Sequence, residues 1–569
     1  MPSALSFLAS KPGAADSDIR RRAPRIILIA LLHFGALALM VETEVGVVQK
    51  AVFILAWGLL NFIWLAVLRR PMTAAALSLT LIGILIMLSR FKHDKLMMTV
   101  NFLDVMIIDP DTFSFLLTIF PDLRLAMGIG FALAIPLLVL FWRLDPFLVR
   151  RRVAASGGIT CLAGLAFLSA AVPSELHHEF FNDGYVSKFA RSGVAAISEL
   201  ATHGFMESDA ATVDRLSSAA GETCQLAGKA PHIILLHDES NFDIRALPNV
   251  MVPAAYGAHF RSFDGKIRSF VVEGAGGPSW FTEYNVLTGL SARSYGRFAE
   301  FVTRIAAGRV ERGLPWALRR CGYKTFSLYP MWGAFLSARG FQTTVGIEHF
   351  LDMRDMGTRQ IEPDRFYYDF AARLIDRERG ERPLFLFVYT AANHFPWDSH
   401  YRPELTPDWR GLGNSFRVDE YLRRQTMGMR DYAEFLLRLK RDFPDEPFLI
   451  VRYGDHQPEF AYRLIDPSLD EAAIARRLEA FDPRYLTTYY AIDVINFQPV
   501  DLSSARGRLD AAYLPIVVQE AAGLPLDSTF AEQKKILDRC QGMFYLCAGG
   551  AEARRFNRLL IDAGLIKGM

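Results

Sequence analysis

Hydrophobic and polar positions fall into two regimes along this 569-residue chain. Up to about residue 173 the apolar residues come in long, nearly unbroken stretches: "IILIALLHFGALALMV" from Ile26, "AVFILAWGLLNFIWLAVL" from Ala51, "AAALSLTLIGILIML" from Ala74, "AMGIGFALAIPLLVLFW" from Ala126 and "ITCLAGLAFLSAAV" from Ile159. Several fall short of the roughly 20 apolar residues that span a bilayer, so some need their flanks or a tilt to cross. The pattern predicts an N-terminal α-helical transmembrane bundle of about five spans. It occupies residues 23–173 and follows a short cytoplasmic N-terminus, residues 1–22.

From Pro231 the period changes. "HIILLH", "YKTFSLY", "LFLFVYT" and "PFLIVRY" have the length and continuous hydrophobicity of strands buried on both faces. Between and after them "LPWALRRCG", "RFYYDFAARLIDRERG" and "VDEYLRRQTMGMRDYAEFLLRLKRDF" read as helices. This alternation predicts an α/β domain with a mainly parallel central sheet over residues 230–569. Residues 174–229 read as a linker: "YVSKFARSGVAAISEL" has apolar residues near helical spacing and could lie beside the membrane or on the surface of the next domain, whereas "SDAATVDRLSSAAGET" is polar and small.

Charge orients the bundle. Arg20, Arg21, Arg22 and Arg25 precede the first span, Arg69 and Arg70 follow the second, and Arg150, Arg151 and Arg152 precede the fifth, so all three clusters share one side. By the positive-inside rule that side is cytoplasmic, which places the domain after residue 173 outside. Arg90, Lys92 and Lys95 would lie on the outer side, against the trend. The net charge of +2 offers no field for nucleic acid, and no arginine-rich tract or zinc-finger spacing is present. Of five cysteines, Cys161 sits in a span and Cys224, Cys321, Cys540 and Cys547 lie in the exported part, where disulfides persist. The short "CQGMFYLC" favours Cys540 with Cys547, although buried thiols are nearly as good a reading.

In open α/β sheets the working site lies beyond the carboxyl ends of the strands. Past "HIILLH" comes Asp238-Glu239-Ser240; past "LFLFVYT" comes Asn393-His394-Phe395-Pro396; past "PFLIVRY" comes Gly454-Asp455-His456. Glu239, Asp455 and His456 together offer two hard oxygens and an imidazole, which suits one divalent metal ion, Mn2+ or Zn2+. "GAGGPSWFTEYNVLTGL", residues 274–290, lacks the Lys-Ser/Thr pair of a P-loop. Its glycines would let the backbone approach a bulky anion, Pro278 would open a helix, and Ser279 would be a nucleophile activated by the ion. Thr282 is a weaker candidate. Singly, Ser279 reads as a helix cap, Glu239 as a surface carboxylate and His394 as a structural histidine; their joint placement at strand ends is what points to a site.

The ordered set resembles the membrane-anchored branch of the alkaline phosphatase and sulfatase superfamily, which holds lipoteichoic acid synthases, phosphoglycerol transferases and phosphoethanolamine transferases. "LLHDES" resembles the family's first metal strand, "GGPSWFTE" its nucleophile helix, "NHFPWD" its substrate-pocket histidine motif and "RYGDHQPE" its metal-binding Asp-His motif. The resemblance implies Ser279 as catalytic residue and Glu239, Ser279, Asp455 and His456 as metal ligands. His394, Arg339 and Trp332 would bind substrate. It implies a multi-pass protein of the bacterial inner membrane with its catalytic domain in the periplasm. The expected reaction transfers a phospholipid headgroup, phosphoglycerol from phosphatidylglycerol being favoured, to a glycan or lipid-linked acceptor in the cell envelope. Transfer of phosphoethanolamine from phosphatidylethanolamine to lipid A or a surface glycan, or phosphodiester hydrolysis, would use nearly the same residues. The membrane transferases mostly carry threonine where this chain has Ser279. The Cys/Ser-x-Pro-x-Arg signature of sulfate-ester hydrolases is missing, which disfavours that chemistry.

Overall fold

Chain contacts divide the protein into two units, residues 1–108 with 116–198 and residues 109–115 with 199–569. The computed structural model describes residues 12–96, 99–107, 121–172, 182–208, 229–380 and 382–568, together with 113, 117, 216 and 224. The polar stretch "SDAATVDRLSSAAGET" lies almost wholly outside them.

In the first unit, five helices among the described residues are long and apolar enough to cross a membrane: Ala23–Thr43, Val47–Leu68, Pro71–Asp94, Leu123–Leu144 and Arg151–Ala171. They coincide with the five apolar stretches. Phe34, Leu133, Ile159 and Phe167 are 69%, 69%, 70% and 71% exposed, an outward apolar surface that only lipid would cover at low cost. Small residues set the closest contact. A Cβ on Gly157 would stand 2.5 Å from the Phe62 ring and one on Gly164 3.1 Å from Leu55, so the second and fifth spans meet through glycines.

The charge pattern is realised at the helix ends. Arg70 Nη1 donates to the carbonyls of Trp142 at 2.7 Å and Asp145 at 2.9 Å, and the Val149 amide donates to Arg69 O at 2.8 Å. The Arg69–Arg70 and Arg150–Arg152 clusters therefore occupy the same end of the bundle. Two of the contrary cations are paired, Arg90 with Glu42 at 3.1 Å and Lys92 with Asp104 at 2.9 Å, which neutralises them locally. The segment after the last span forms the helix Tyr185–Thr202. Buried Glu44 accepts from the amides of Val186 and Ser187 and from Ser187 Oγ, holding a carboxylate where the helix start leaves donors unpaired.

The second unit is built on eight strands: β1 (His232–Asp238), β2 (Arg268–Val271), β3 (Lys324–Leu328), β4 (His349–Leu351), β5 (Leu384–Tyr389), β6 (Phe448–Gly454), β7 (Thr487–Ile495) and β8 (Arg508–Asp510). Their spatial order is β4-β3-β5-β1-β6-β7-β2-β8. The four apolar runs became β3, β5, β1 and β6, adjacent and parallel at the centre. Every residue of β1, β5 and β6 is buried, as continuous hydrophobicity demands of strands covered on both faces. Strands β2, β4, β7 and β8 are the additions: β4 runs parallel to β3 and β8 parallel to β2, whereas β7 runs antiparallel to β6 and β2 antiparallel to β7, making the sheet mixed but largely parallel.

Helices Leu314–Arg320, Asp364–Glu378 and Phe416–Asp442 lie where the apolar spacing places them. Tyr368, Ala371 and Ile375 from one helix and Tyr432, Phe435 and Leu439 from another share a core with Ile234, Leu386 and Ile450 of the sheet. Each fully buried side chain of this size contributes about 1.5–3 kcal/mol. Disulfides join Cys224 to Cys321 and Cys540 to Cys547, and Cys161 is free.

Candidate active site

Glu239, Ser279, Asp455 and His456 arrive from three separate segments and meet. Glu239 follows β1, Asp455 and His456 follow β6, and pairing of β1 with β6 puts Asp238 beside Gly454. Close approach requires that glycine: a Cβ on Gly454 would lie 1.6 Å from the carbonyl oxygen of Asn241. Ser279 opens the helix Ser279–Thr288 as its first helical residue, with Pro278 before it. Its Oγ donates to Glu239 Oε2 at 3.0 Å and lies 3.1 Å from His456 Nε2. His456 Nε2 lies 3.3 Å from Asp455 Oδ2 and 3.6 Å from Glu239 Oε1. The hydroxyl thus points at the acidic cluster and is not spent as a helix cap.

The first helical turn differs from an open anion cradle. The amide of Ser279 donates to Gly277 O at 2.8 Å and that of Phe281 to Pro278 O at 3.0 Å, so two of its donors are used inside the turn. Gly276 adopts φ +74°, which favours glycine, and nothing lies within 4 Å of a Cβ built on Gly277. Thr282 is fully buried and donates to the backbone carbonyl of Asp455 at 2.7 Å, a structural tie that removes it as a nucleophile.

One residue was invisible to the strand-end reading. His237 lies inside β1, two residues before Glu239, and its side chain reaches the same cluster. Its Nδ1 meets Tyr453 OH at 2.9 Å, its ring stacks on Tyr389, and its Nε2 lies 3.1 Å from Asp455 Oδ2. At that separation neither Nε2 nor Oδ2 finds a hydrogen bond of acceptable geometry, although both are buried. Orphaned buried polar atoms are costly unless something pairs them. His237, Glu239 and Asp455 each offer a ligand atom, all within 4.8 Å of one another, a buried cluster able to coordinate a divalent metal. The available signal was the two-residue spacing His237-x-Glu239.

Electrostatics follow from the crowding. Burial alone would raise the Asp455 carboxyl, but His456 and His237 beside it hold it low. Burial would lower His456, and the charges of Asp455 and Glu239 overcome that and push it up. Below, on the helix of Ser279, Glu283 is buried with a single donor, Gln342 Nε2 at 2.8 Å, and burial pushes its carboxyl up to about 8. A carboxyl raised from 4.5 to about 8 contributes stability that is present below pH 4.5 and lost as pH rises through 8. The loss is on the order of 5 kcal/mol. Glu283→Gln, keeping the acceptor for Gln342, is therefore expected to melt near the wild-type temperature at pH 5 and clearly above it at pH 9. Parallel pH profiles of the two proteins in thermal unfolding would contradict this.

The three residues expected to bind substrate have these surroundings. His394 is half-buried, stacked on Phe395, with Nδ1 2.7 Å from the Phe395 carbonyl. Its neighbour Asn393 reaches toward Ser240 O at 3.5 Å, so His394 is one residue from the loop of Glu239. Arg339 is held by Asp352 and Asp355 at 3.0 Å each and donates to Phe350 O, while the Trp332 ring carries the Arg354 guanidinium at 3.7 Å. These contacts occupy Arg339 and Trp332 within their own loop.

Residues 278–478, from the Ser279 helix past the Asp455-His456 loop, match the sulfatase family model. Over that stretch, about a third of the chain, the protein is similar to the sulfatase family. A capsular polysaccharide biosynthesis protein, RkpI of Rhizobium meliloti (strain 1021), is 28% identical over 256 residues, 42% of this chain and 44% of the relative, so the alignment spans under half of either protein. Among solved structures, the lipoteichoic acid synthase LtaP from Listeria monocytogenes is similar at 19% identity, covering 52% of this chain and 73% of its own, with a TM-score of 0.40. The Streptococcus pyogenes phosphoglycerol transferase GacH is similar at 15% identity, covering 60% and 87%, with a TM-score of 0.46. The matched stretch contains Ser279, Asp455 and His456, whereas His237 and Glu239 precede it in the chain.

Proposed function

We propose that the protein is a metal-dependent membrane phosphotransferase that moves a phospholipid headgroup, phosphoglycerol from phosphatidylglycerol, to a cell-envelope glycan through an ester on Ser279. The observation that carries this reading is the Ser279 hydroxyl 3.0 Å from Glu239 and 3.1 Å from His456 at the start of a helix. A divalent ion, manganese or zinc, would be held by Glu239, Ser279, Asp455 and His456, with His237 as a further imidazole, and when bound supplies positive charge to the serine and phosphoryl oxygens. Likeness to a capsular polysaccharide biosynthesis protein favours a polysaccharide acceptor. The arginine clusters and two disulfides support a domain outside the cytoplasmic membrane, in the periplasm.

In the first half-reaction Ser279 Oγ attacks phosphorus, the bond from phosphorus to the diacylglycerol oxygen breaks, and the serine proton, already shared with Glu239 Oε2, ends on the released diacylglycerol hydroxyl. In the second, the acceptor hydroxyl oxygen attacks the same phosphorus, Oγ leaves, and the acceptor's proton returns to Ser279. His394 would contact the headgroup, with Arg339 and Trp332 lining its pocket. The test is intact-mass analysis of the full chain in detergent with defined phospholipids. A phosphoglycerol adduct on Ser279 with release of diacylglycerol is expected. A phosphoethanolamine adduct would reassign the donor, release of diacylglycerol without adduct or glycan product would make it a hydrolase, and unreacted lipid would sink the proposal.

A further inference from the structure

The loop carrying His394 is held in place by the long helix Phe416–Asp442 through one arginine. Arg424 is 4% exposed. Its Nη1 donates to the carbonyl of His394 itself at 2.8 Å, and its Nη2 to the carbonyls of Pro396 at 2.9 Å and Ser399 at 3.0 Å. Its Nε donates to Glu420 Oε1 at 2.6 Å, one turn back on the same helix. Glu420 is buried and also accepts from Arg423, His400 and the amide of Tyr401. The arginines pull its carboxyl down to about 2 against the effect of burial, so it stays ionised as the anchor.

The same helix face grips the other side of the site. Tyr421 OH donates to Ser240 O at 2.9 Å and Gln425 Nε2 to Phe242 O at 2.9 Å, both in the loop that follows Glu239. Positions 420, 421, 424 and 425 thus tie the loop of His394 and the loop of Glu239 to one rigid element. We propose that Arg424 is a positioning residue for His394, setting its distance from the phosphoryl group and so the affinity for the lipid headgroup. The inference rests on His394 contacting that headgroup. Arg423 supplies an internal comparison: it shares Glu420 but binds Tyr401 O and Thr406, farther along the loop.

Lysine at 424 keeps the charge and reaches one carbonyl, but cannot bridge three carbonyls and a carboxylate as a planar fork does. The experiment follows formation of the Ser279 adduct by intact mass in the full chain, at varied phosphatidylglycerol concentration. Arg424→Lys is expected to raise the half-saturating lipid concentration about 10-fold or more while the limiting rate changes by less than about 3-fold, the signature of lost ground-state positioning. Arg423→Lys is expected to leave both near wild type. Glu420→Gln, which weakens the anchor without changing volume, is expected to shift half-saturation in the same direction and carries the test if Arg424→Lys does not fold. Unchanged half-saturation in the folded variants, or an equal shift in Arg423→Lys, would overturn the positioning role while leaving the transferase reading intact. Wild-type protein forming no adduct would overturn both.

Discussion

Replacing Ser279 by alanine is expected to lower transfer on the order of 10^4-fold or more and to remove the covalent adduct altogether, with the melting temperature nearly unchanged. The small structural effect follows from the contacts. The hydroxyl is bonded to Glu239 and lies near His456, whereas the helix it opens is fixed by Pro278, the Thr282 tie to Asp455 and the packing of Phe281 and Tyr284. Losing Oγ removes the attacking atom and one contact to a carboxylate, without opening an apolar cavity. Ser279→Thr restores a hydroxyl at the same position and is expected to recover adduct formation in part. Headgroup transfer by the alanine variant within 10-fold of wild type, at matched metal content, would rule out Ser279 as nucleophile.

Asp455→Asn carries the second large effect, on metal affinity. The carboxylate is fully buried, accepts the amides of Ser240 at 2.7 Å and His456 at 2.9 Å, and faces His237 and His456. Asparagine can keep the amide bonds but removes the negative charge that two imidazoles and a cation would share. Breaking a buried charged arrangement of this kind costs about 3–5 kcal/mol. That converts to a loss of metal affinity on the order of 10^3-fold. His237→Phe, which preserves the stack on Tyr389 and deletes the nitrogen beside Asp455, is expected to weaken binding roughly 10- to 100-fold. Metal per chain measured against a graded chelator checks both. Wild-type retention of metal by Asp455→Asn would place the ion elsewhere.

Much of this architecture is legible without coordinates because it is repeated along the chain. The apolar stretches that became spans and the runs that became β1, β5 and β6 are predominantly hydrophobic, so burial is written in their composition; β3, "KTFSL", carries that signal less strongly. Strands β2 and β7 escape such reading. "RSFV" and "TTYYAIDVI" mix polar and apolar residues; β7 is a strand because it pairs with the edge of β6, and β2 because it pairs in turn with β7. Glu239, Asp455 and His456 were legible as polar residues immediately past buried strands. His237 was not, since a histidine closing an apolar run looks like part of the run.

The sequence by itself determined the division into membrane helices and an α/β domain, the central parallel strands, and which strand ends carry carboxylates and imidazoles. These are properties of short segments, set by hydrophobicity and period. Only the tertiary structure decided that residues 40 and 177 positions from Ser279 lie at 3.0 and 3.1 Å from its hydroxyl, that His237 faces Asp455, and that Arg424 holds the loop of His394. Distances across a sheet depend on strand order and register, which are settled by the packing of all the strands together and by no one stretch of chain.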